Sequence, residues 1–203
     1  MPDSTCSAND SAREPRYRLL MIGPHRIEGY AIVSADGMIA DGNGKMPETI
    51  RNDADQRFFQ AELDRAAVVV HGRHSHEGGP RAKDRRRVML TRRTASIAPD
   101  HSHPHALLWN PAGAPLEEAI ASLGAAEGAI AIIGGPDVFG AFLQFFDAFH
   151  LTLAAHAKIA GGRPVFPEVG PQTTLLPSSR SGNLSQVGKF RVLFYAASLN
   201  GRK

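Results

Sequence analysis

Short apolar runs alternate with polar, glycine-rich segments along most of the chain. The runs with the composition of strands are GYAIVSA at residues 29–35, AAVVVH at 66–71, RVMLT at 87–91, ALLW at 106–109, IAII at 130–133 and FHLTLAAHA at 149–157. They are too short for typical helices, and several have apolar residues at consecutive positions, which is typical of strands covered on both faces. The pattern therefore predicts a largely parallel sheet.

Segments with helical spacing lie between these runs. DQRFFQAEL at residues 55–63 has apolar residues three and four positions apart, and Pro115 opens PLEEAIASL with acidic residues behind it. Proline and acidic residues are both favourable in the first turn of a helix. Four phenylalanines at helical spacing are expected to share one buried helix face: Phe139, Phe142, Phe146 and Phe149. The alternation predicts a three-layer α/β fold with helices on both faces of the sheet.

The two ends of the chain differ from its middle. Ser, Asp, Asn, Pro and Arg dominate residues 1–18, which we interpret as a disordered leader. No change in composition divides residues 19–203, so a single domain is expected there. TTLL at residues 173–176 and FRVLFYAA at 190–197 are separated by a polar stretch and predict an antiparallel C-terminal strand pair.

Composition narrows the class of protein. The chain is 42% hydrophobic and 21% charged, which is ordinary for a globular protein. No apolar run approaches the roughly 20 residues of a membrane span, and the N-terminus lacks the pattern of a secretory signal. We therefore expect a cytoplasmic protein without a membrane partner. The single cysteine, Cys6, lies in the leader and is interpreted as a tail thiol rather than a catalytic group.

Positive charge is concentrated in one segment. The formal net charge is only +3, yet seven of the thirteen residues at positions 81–93 are basic. A local anion is the natural partner of such a segment. Nucleic acid is the weaker interpretation, because apolar residues interrupt the run as a strand would and no aromatic stacking platform is interleaved.

Three loops that directly follow predicted strands have anion-binding features. The strand that ends at Ile133 runs into Gly134 and Gly135, where missing Cβ atoms and free N–H groups suit a phosphate. HGRHS at residues 71–75 is another expected helix start, and LTRR at 90–93 supplies two guanidiniums that bind phosphate bidentately. In parallel sheets ligands bind beyond the carboxyl ends of the strands, so these loops predict one ligand site.

The order of these motifs resembles the dihydrofolate reductase superfamily, and most closely the reductase domain of the bifunctional riboflavin-biosynthesis deaminase/reductase. The resemblance extends over residues 29–168. It implies an eight-stranded sheet, NADPH as the cofactor, and hydride transfer to a pteridine, an aminopyrimidine or a related nitrogen heterocycle. Since relatives of the riboflavin type are often dimers, it also implies a homodimer.

The resemblance matches cofactor contacts to residues of the first strands, the loop that closes over the nicotinamide, and the three loops described above. Arg73, Arg92 and Arg93 would lie near the 2′-phosphate, which favours NADPH over NADH by charge. The matched positions are Ala31, Ile32, Ile39, Asn43, Gly72, Arg73, His74, Ser75, Thr91, Arg92, Arg93, Ile133, Gly134, Gly135, Asp137, Val138 and Phe139.

For the substrate, the resemblance implies a carboxylate that grips an amidine-like ring face and takes part in catalysis. Asp55 precedes Phe59 by four residues, which puts both on one helix face, and Asp53 is the rival if the loop is aligned differently. Met46 and Thr152 complete the matched substrate positions. By the same resemblance, Arg85 could match an arginine that binds the glutamate tail of folate.

Other interpretations remain open. Glu48 stands where dihydrofolate reductases usually have Trp, which motivates a nucleotide-binding protein of the same fold without turnover. Asp55 could instead be a helix cap or a solvated carboxylate. DHSHPH at residues 100–105 has three alternate histidines, but its prolines and polar residues favour a solvated loop, so no metal is expected.

Overall fold

Strands and helices alternate along the computed structural model, which describes residues 24–75, 78–167, 185–187 and 190–196. The predicted leader at residues 1–18 therefore lies outside the described residues. In chain order the elements are β1 (Arg26–Ser34), β2 (Met38–Ala40), a 3₁₀ turn (Glu48–Ile50), α1 (Asp53–Arg65), β3 (Val68–Gly72), a 3₁₀ turn (Ala82–Asp84), β4 (Arg87–Leu90), β5 (Ile97–Pro99), β6 (Ala106–Trp109), α2 (Leu116–Ser122), β7 (Ala129–Ile132), α3 (Pro136–Phe142), β8 (Ala148–Ala154), β9 (Arg163–Pro164), β10 (Ser185–Val187) and β11 (Phe190–Ala196).

One nine-stranded sheet dominates the fold, in the order β10-β11-β8-β1-β7-β3-β4-β6-β5. The strands from β11 to β6 are parallel, while β10 and β5 are antiparallel at the two edges. The expectation of eight strands was wrong, because the short edge strand β5 adds one. A C-terminal antiparallel pair is confirmed, but β11 pairs with β10, which lies in the stretch that was predicted to connect the two strands. The predicted partner TTLL lies outside the described residues. Strands β2 and β9 form a separate antiparallel pair.

Helices cover both faces of this sheet, as the alternation predicts. On one face, α1 buries Leu63 against Tyr30, Val69 and Ala131. On the other face, α2 and α3 pack over residues such as Val70. The central strands are therefore buried on both sides, which explains their consecutive apolar residues.

The phenylalanine-rich segment is core, but it is not one helix. Helix α3 ends at Phe142, Phe146 lies in the following turn, and Phe149 belongs to β8, although all of them are at most 4% exposed. The turn forms because Asp147 binds β1 twice: its carboxylate accepts the Ile27 N–H at 2.7 Å, and its own N–H donates to the Ile27 carbonyl at 2.8 Å. Because of these bonds, α3 ends after seven residues and the chain continues into β8 beside β1.

The segment after β3 was wrongly expected to begin a helix. It forms a turn instead, in which the Ser75 N–H donates to the Gly72 carbonyl at 3.0 Å. Two further bonds hold this turn against the loop after β7: Gly72 N–H to Gly134 carbonyl at 2.9 Å, and Gly135 N–H to the Ser75 hydroxyl at 3.0 Å. Because the backbone and hydroxyl groups of this turn serve the neighbouring loop, the chain does not continue into a helix there.

Helix α1 begins where local polar groups favour it. The Asn52 side chain accepts the N–H groups of Ala54 and Asp55 at 2.8 and 3.1 Å, which satisfies two donors of the first turn. Asn52 is therefore the N-cap of α1, and the Asp55 carboxylate does not serve as the cap. None of the described helices has the length and apolar character that a bilayer crossing needs.

Gly29 in β1 gives a direct test of the packing between β1 and β8. A Cβ atom at this position would lie 2.3 Å from Phe149 Cδ2 and 2.8 Å from Phe146 Cε1, both on buried rings. We expect Gly29→Ala to lower the free energy of unfolding by about 1–3 kcal/mol, because the rings must leave their packed positions. Urea denaturation monitored by circular dichroism measures the change.

The matched control is Gly140→Ala in α3, where an added Cβ meets nothing within 4 Å. This substitution should be neutral or stabilise by up to about 1 kcal/mol, since alanine has the higher helix propensity. Equal effects of the two substitutions would contradict the packing described for Gly29.

Candidate functional site

A pocket of about 110 Å³ lies between α1, β1, β8 and the loop that follows β2. Four residues matched by resemblance to the cofactor line it: Ala31, Ile32, Ile39 and Ile133. The residues matched to the substrate, Met46, Asp55, Phe59 and Thr152, line the same pocket. The structure therefore brings together two groups of residues that are far apart in the sequence.

Asp55 is the only carboxylic acid among the residues that line this pocket in the described part of the chain. Burial raises the pKa of Asp55, and the hydrogen bond from the Thr152 hydroxyl works in the opposite direction. Thr152 is itself only 4% exposed, so this donor is fixed within β8. The rival Asp53 is exposed at the start of α1 and does not line the pocket.

A second polar cluster, formed by Glu28, Tyr30 and His150, borders the pocket. The Tyr30 hydroxyl donates to Glu28 Oε2 at 2.8 Å, and His150 Nε2 lies 3.4 Å from the same oxygen. The rings of Tyr30 and His150 are stacked with their centroids 4.5 Å apart and their planes 3° from parallel. Burial lowers the pKa of His150, whereas the charge of Glu28 raises it.

Sequence reasoning missed this cluster, although a signal was present. His150 is a polar residue inside an apolar strand, two positions before Thr152, so both side chains point to the same face of the sheet. Glu28 and Tyr30 have the same spacing in β1, and the register pairs Tyr30 with His150. The alternation alone could not show that the two strands are neighbours.

The three loops with anion-binding features do lie side by side, at the carboxyl ends of neighbouring parallel strands. Strands β7, β3 and β4 are consecutive and parallel, so the segments that follow them emerge side by side. Gly134 has φ of +124°, a conformation that residues with a Cβ rarely adopt, and this permits its carbonyl to meet the Gly72 N–H. The glycine turn is therefore required by the contact between two of the loops.

Side chains on these loops are mainly basic and exposed. Arg73, His74, Arg92 and Arg93 are exposed, and Arg73 Nη2 lies 3.3 Å from His74 Nε2. Thr91 is buried, and its hydroxyl accepts the Arg93 N–H at 3.2 Å, which shapes the loop after β4. Exposed positive side chains are therefore concentrated in the loops after β3 and β4, beside the glycine turn that follows β7.

Some residues matched to the cofactor are not at the pocket surface. Val138 and Phe139 are 4% and 0% exposed and pack in the core with α3, so their side chains cannot contact a ligand in this packing. Asn43 is exposed and does not line the pocket; its N–H donates to Asp41 Oδ1 at 2.9 Å. Asp137 is exposed in the first turn of α3. Of the matched residues 133–139, Ile133 is the one that lines the pocket in the described part of the chain.

The basic segment at residues 81–93 is divided by the fold. Arg85 and Arg87 are each 8% exposed, and Arg87 Nε donates to the Ala82 carbonyl at 3.0 Å. Arg86 Nε donates to the Leu123 carbonyl at 3.1 Å. These three arginines have partners within the chain, and two of them are buried, so the segment is not one uniform basic surface. Its exposed basic residues are Arg81, Lys83, Arg86, Arg92 and Arg93, of which the last two lie in the loop after β4.

The histidine-rich loop is organised by Asp100. Its carboxylate accepts the Ser102 N–H at 2.9 Å and lies 3.2 Å from His103 Nδ1. Among the residues placed in the structure, no group of three His, Cys, Asp or Glu side chains is arranged to hold a metal ion.

Comparison with known proteins agrees with this architecture. Residues 27–195 match the family model described as dihydrofolate reductase. Among curated proteins, none matches the chain.

Three solved structures are similar to this chain, and the first two described here share its fold. A protein of Shewanella sp. PV-4 that is named as a riboflavin biosynthesis candidate is 22% identical, with a TM-score of 0.50, over 79% of this chain and 90% of its own. A diaminohydroxyphosphoribosylaminopyrimidine deaminase/5-amino-6-(5-phosphoribosylamino)uracil reductase of Thermotoga maritima is 17% identical, with a TM-score of 0.55, over 80% of this chain and 54% of its own. A dihydrofolate reductase of Enterococcus faecalis, complexed with NADP(H) and RAB-propyl, is 23% identical, with a TM-score of 0.42, over 60% of this chain and 66% of its own. The chain thus spans about half of the Thermotoga protein.

The raised pKa of Asp55 gives a prediction about stability. The folded protein binds the Asp55 proton more tightly than the unfolded chain does, so ionisation of this carboxyl costs stability as the pH rises above its unfolded pKa of about 3.9. Asp55→Asn should therefore have a higher free energy of unfolding than the wild type at neutral pH. The difference should shrink as the pH falls toward about 4. Urea denaturation across this pH range measures it, and a less stable Asn variant at neutral pH would show that the carboxylate is structural.

Proposed function

The chain belongs to the dihydrofolate reductase family, and we propose that it is an NADPH-dependent reductase that transfers hydride to a pteridine, an aminopyrimidine or a related nitrogen heterocycle. The observation that carries this proposal is the pocket in which the half-buried Asp55 faces the apolar residues matched to the nicotinamide. An apolar wall beside one carboxylate suits a flat ring with N–H donors at one edge. Bound NADPH would supply the hydride.

The loops at the sheet edge fit the phosphates of this cofactor. Arg73, Arg92 and Arg93 carry exposed guanidiniums on these loops, so they would bind the 2′-phosphate. Gly134 and Gly135 would allow the pyrophosphate to approach the backbone, and the Ser75 hydroxyl fixes their turn from the neighbouring loop.

Asp55 would hold the substrate ring and control a proton. As a carboxylate it accepts N–H donors of an amidine-like face, with the Thr152 hydroxyl fixing its orientation. Its raised pKa brings protonation closer to neutral pH, which makes it a better source of the proton that must accompany hydride transfer, directly or through water.

The walls of the pocket would exclude water from the reacting rings. Ile32, Ile39, Met46 and Phe59 contribute apolar surface around the carboxylate. Removing water strengthens the interaction between Asp55 and a bound N–H donor, because the local dielectric is lower.

A nucleotide-binding protein without turnover is the second candidate. The observation that favours it is Glu48, which forms an exposed ion pair with Arg51 at 3.2 Å instead of contributing an aromatic wall to the pocket. Steady NADPH oxidation with any heterocycle would reject this candidate, and tight NADPH binding without oxidation over a broad panel would support it.

We further propose that the protein is a cytoplasmic homodimer without a nucleic-acid partner. The buried positions of Arg85 and Arg87 support the last part, because these guanidiniums are not available to a nucleic-acid backbone. Light scattering on the purified protein and retention on immobilised DNA or RNA test these points.

The preference for NADPH tests the role of the exposed arginine pair. We expect Arg92→Ala with Arg93→Ala to weaken NADPH binding by about tenfold or more and to change NADH binding little, because the lost partner is the 2′-phosphate. Titration of both cofactors, followed by nicotinamide fluorescence, gives the two dissociation constants.

The double variant Arg57→Ala with Arg65→Ala is the control, since both side chains are exposed on α1 and the change in net charge is the same. It should leave the ratio of the two dissociation constants unchanged. If the Arg92 and Arg93 double variant lost the same affinity for NADPH and for NADH, this loop would not contact the 2′-phosphate. Failure of the wild type to bind either cofactor would reject the reductase proposal.

The role of Asp55 gives a separate test. Asp55→Asn should lower turnover by about a hundredfold or more and leave NADPH affinity unchanged, because it removes the proton-exchanging group without changing the cofactor loops. The control Asp53→Asn changes an exposed carboxylate two residues away and should retain wild-type turnover. Stopped-flow and steady-state NADPH oxidation measure both variants, and the reverse result would assign the substrate carboxylate to Asp53.

A further inference from the structure

The loop that carries Arg92 and Arg93 has to cross the end of a neighbouring strand. Residues 91–96, which we call the arginine loop, connect β4 to β5, and β6 lies between these two strands in the sheet. Strand β6 is parallel to β4 and antiparallel to β5, whose first residue, Ile97, pairs with Trp109 at the end of β6. The arginine loop therefore passes over the carboxyl end of β6, and the residues that follow Trp109 lie beside it.

Asn110, directly after β6, binds the arginine loop with both its side chain and its backbone. Its Nδ2 donates to the Thr94 carbonyl at 2.8 Å, and its N–H donates to the Ser96 carbonyl at 2.8 Å. Its Oδ1 accepts the Ala112 N–H at 3.1 Å, which holds the side-chain amide in the orientation that presents Nδ2 to the loop. Asn110 thus connects the turn after β6 to the second half of the arginine loop.

Gly113 allows the arginine loop to lie directly against this turn. A Cβ atom at this position would lie 1.8 Å from the Ala95 carbonyl oxygen and 2.8 Å from Ser96 Cα. Both atoms belong to the backbone, so they cannot rotate away as the end of a side chain could. The turn itself is closed by the bond from the Gly113 N–H to the Asn110 carbonyl at 2.9 Å. A side chain at position 113 would therefore push the loop away from β6.

The two arginines lie between two points at which the loop is tied to the end of β6. Thr91, which precedes the pair, donates its N–H to the last carbonyl of β6 at 2.9 Å, and its hydroxyl accepts the Arg93 N–H at 3.2 Å. Thr94, which follows the pair, is the residue whose carbonyl Asn110 binds. Arg92 and Arg93 are exposed, so a ligand can reach them. A loop that is already ordered loses less conformational freedom when it binds a ligand, which increases affinity.

We propose that Asn110 and Gly113 are positioning residues that determine the preference of this protein for NADPH over NADH. They hold the backbone of the arginine loop, so that Arg92 and Arg93 are in place before the 2′-phosphate arrives. Their contribution to affinity passes through the two guanidiniums and not through a contact of their own with the cofactor. The inference rests on the proposed reductase function and on the role proposed there for Arg92 and Arg93.

Two substitutions that leave the net charge unchanged test this inference in different ways. Asn110→Ala removes the bond to the Thr94 carbonyl, whereas Gly113→Ala displaces the Ala95 carbonyl. Each should lower the ratio of the NADH to the NADPH dissociation constant by about threefold to tenfold, with little change in NADH binding itself. Fluorescence titration of the full chain with both cofactors measures this ratio, and circular dichroism establishes that each variant is folded.

A double-mutant cycle then shows whether Asn110 acts through the arginines. In a chain that already carries Arg92→Ala and Arg93→Ala, adding Asn110→Ala should lower the ratio no further, because the contact that it positions is gone. Asn52→Ala is the matched control, since it also removes an asparagine that forms hydrogen bonds with the backbone, but at the start of α1. It should leave the ratio of the two dissociation constants unchanged.

The possible failures are distinguishable. If the wild type prefers NADPH through Arg92 and Arg93, and a folded Asn110→Ala or Gly113→Ala variant keeps that preference, the inference is overturned and the reductase proposal stands. Equal losses of NADPH and NADH affinity in these variants would also overturn it, because the two residues would then support the fold and not the choice of cofactor. If the wild type binds both cofactors equally, the proposed role of the arginine loop is wrong, and the inference is rejected with it. If it binds neither, the reductase proposal fails as well.

Discussion

The register between β1 and β8 is the constraint on which the candidate site depends. It pairs Tyr30 with His150 and Ile32 with Thr152, so that the polar side chains of both strands lie on the face that α1 covers. A slip of one residue would turn His150 and Thr152 to the opposite face and leave Asp55 without its hydroxyl donor. Gly29 and the Asp147 bonds to Ile27 hold this register from the other face and from the end of the strands. The packing of the phenylalanine cluster is therefore connected to the chemistry of the pocket.

Much of the fold could be predicted from local sequence, since buried parallel strands are marked by consecutive apolar residues such as Val68, Val69 and Val70. The positions of Asp55 and Phe59 also followed from local spacing, because four residues separate neighbours on a helix face. The edge strand β5 was missed because three residues are too few to establish a pattern. The end of α3 was missed because a bond from Asp147 to Ile27, which is 120 residues away, decides it.

The same distinction between local and distant contacts explains why the partners of individual arginines could not be predicted from the sequence. The sequence shows a basic run, but whether each guanidinium binds solvent, a ligand or the protein depends on partners elsewhere in the chain. Arg85 reaches Asp64 across 21 residues and Arg86 reaches Leu123 across 37. Buried Arg85 thus connects α1 with the segment before β4, and the exposed Arg86 connects that segment with the end of α2. Arg92 and Arg93, beyond the end of β4, are exposed in the loop that follows the strand.

The result is a site in which opposite charges are separated by a short stretch of sheet. Positive side chains follow β3 and β4, where the proposed cofactor phosphates would lie, and the carboxylate of Asp55 lies on the side of β1 and β8. Ile133 lines the pocket and directly precedes the glycine turn, so it joins the two regions. Each region favours a ligand group of the opposite sign. In the proposed reductase this arrangement would bring two flat rings together without a direct contact between a cation and Asp55, whose raised pKa such a contact would lower.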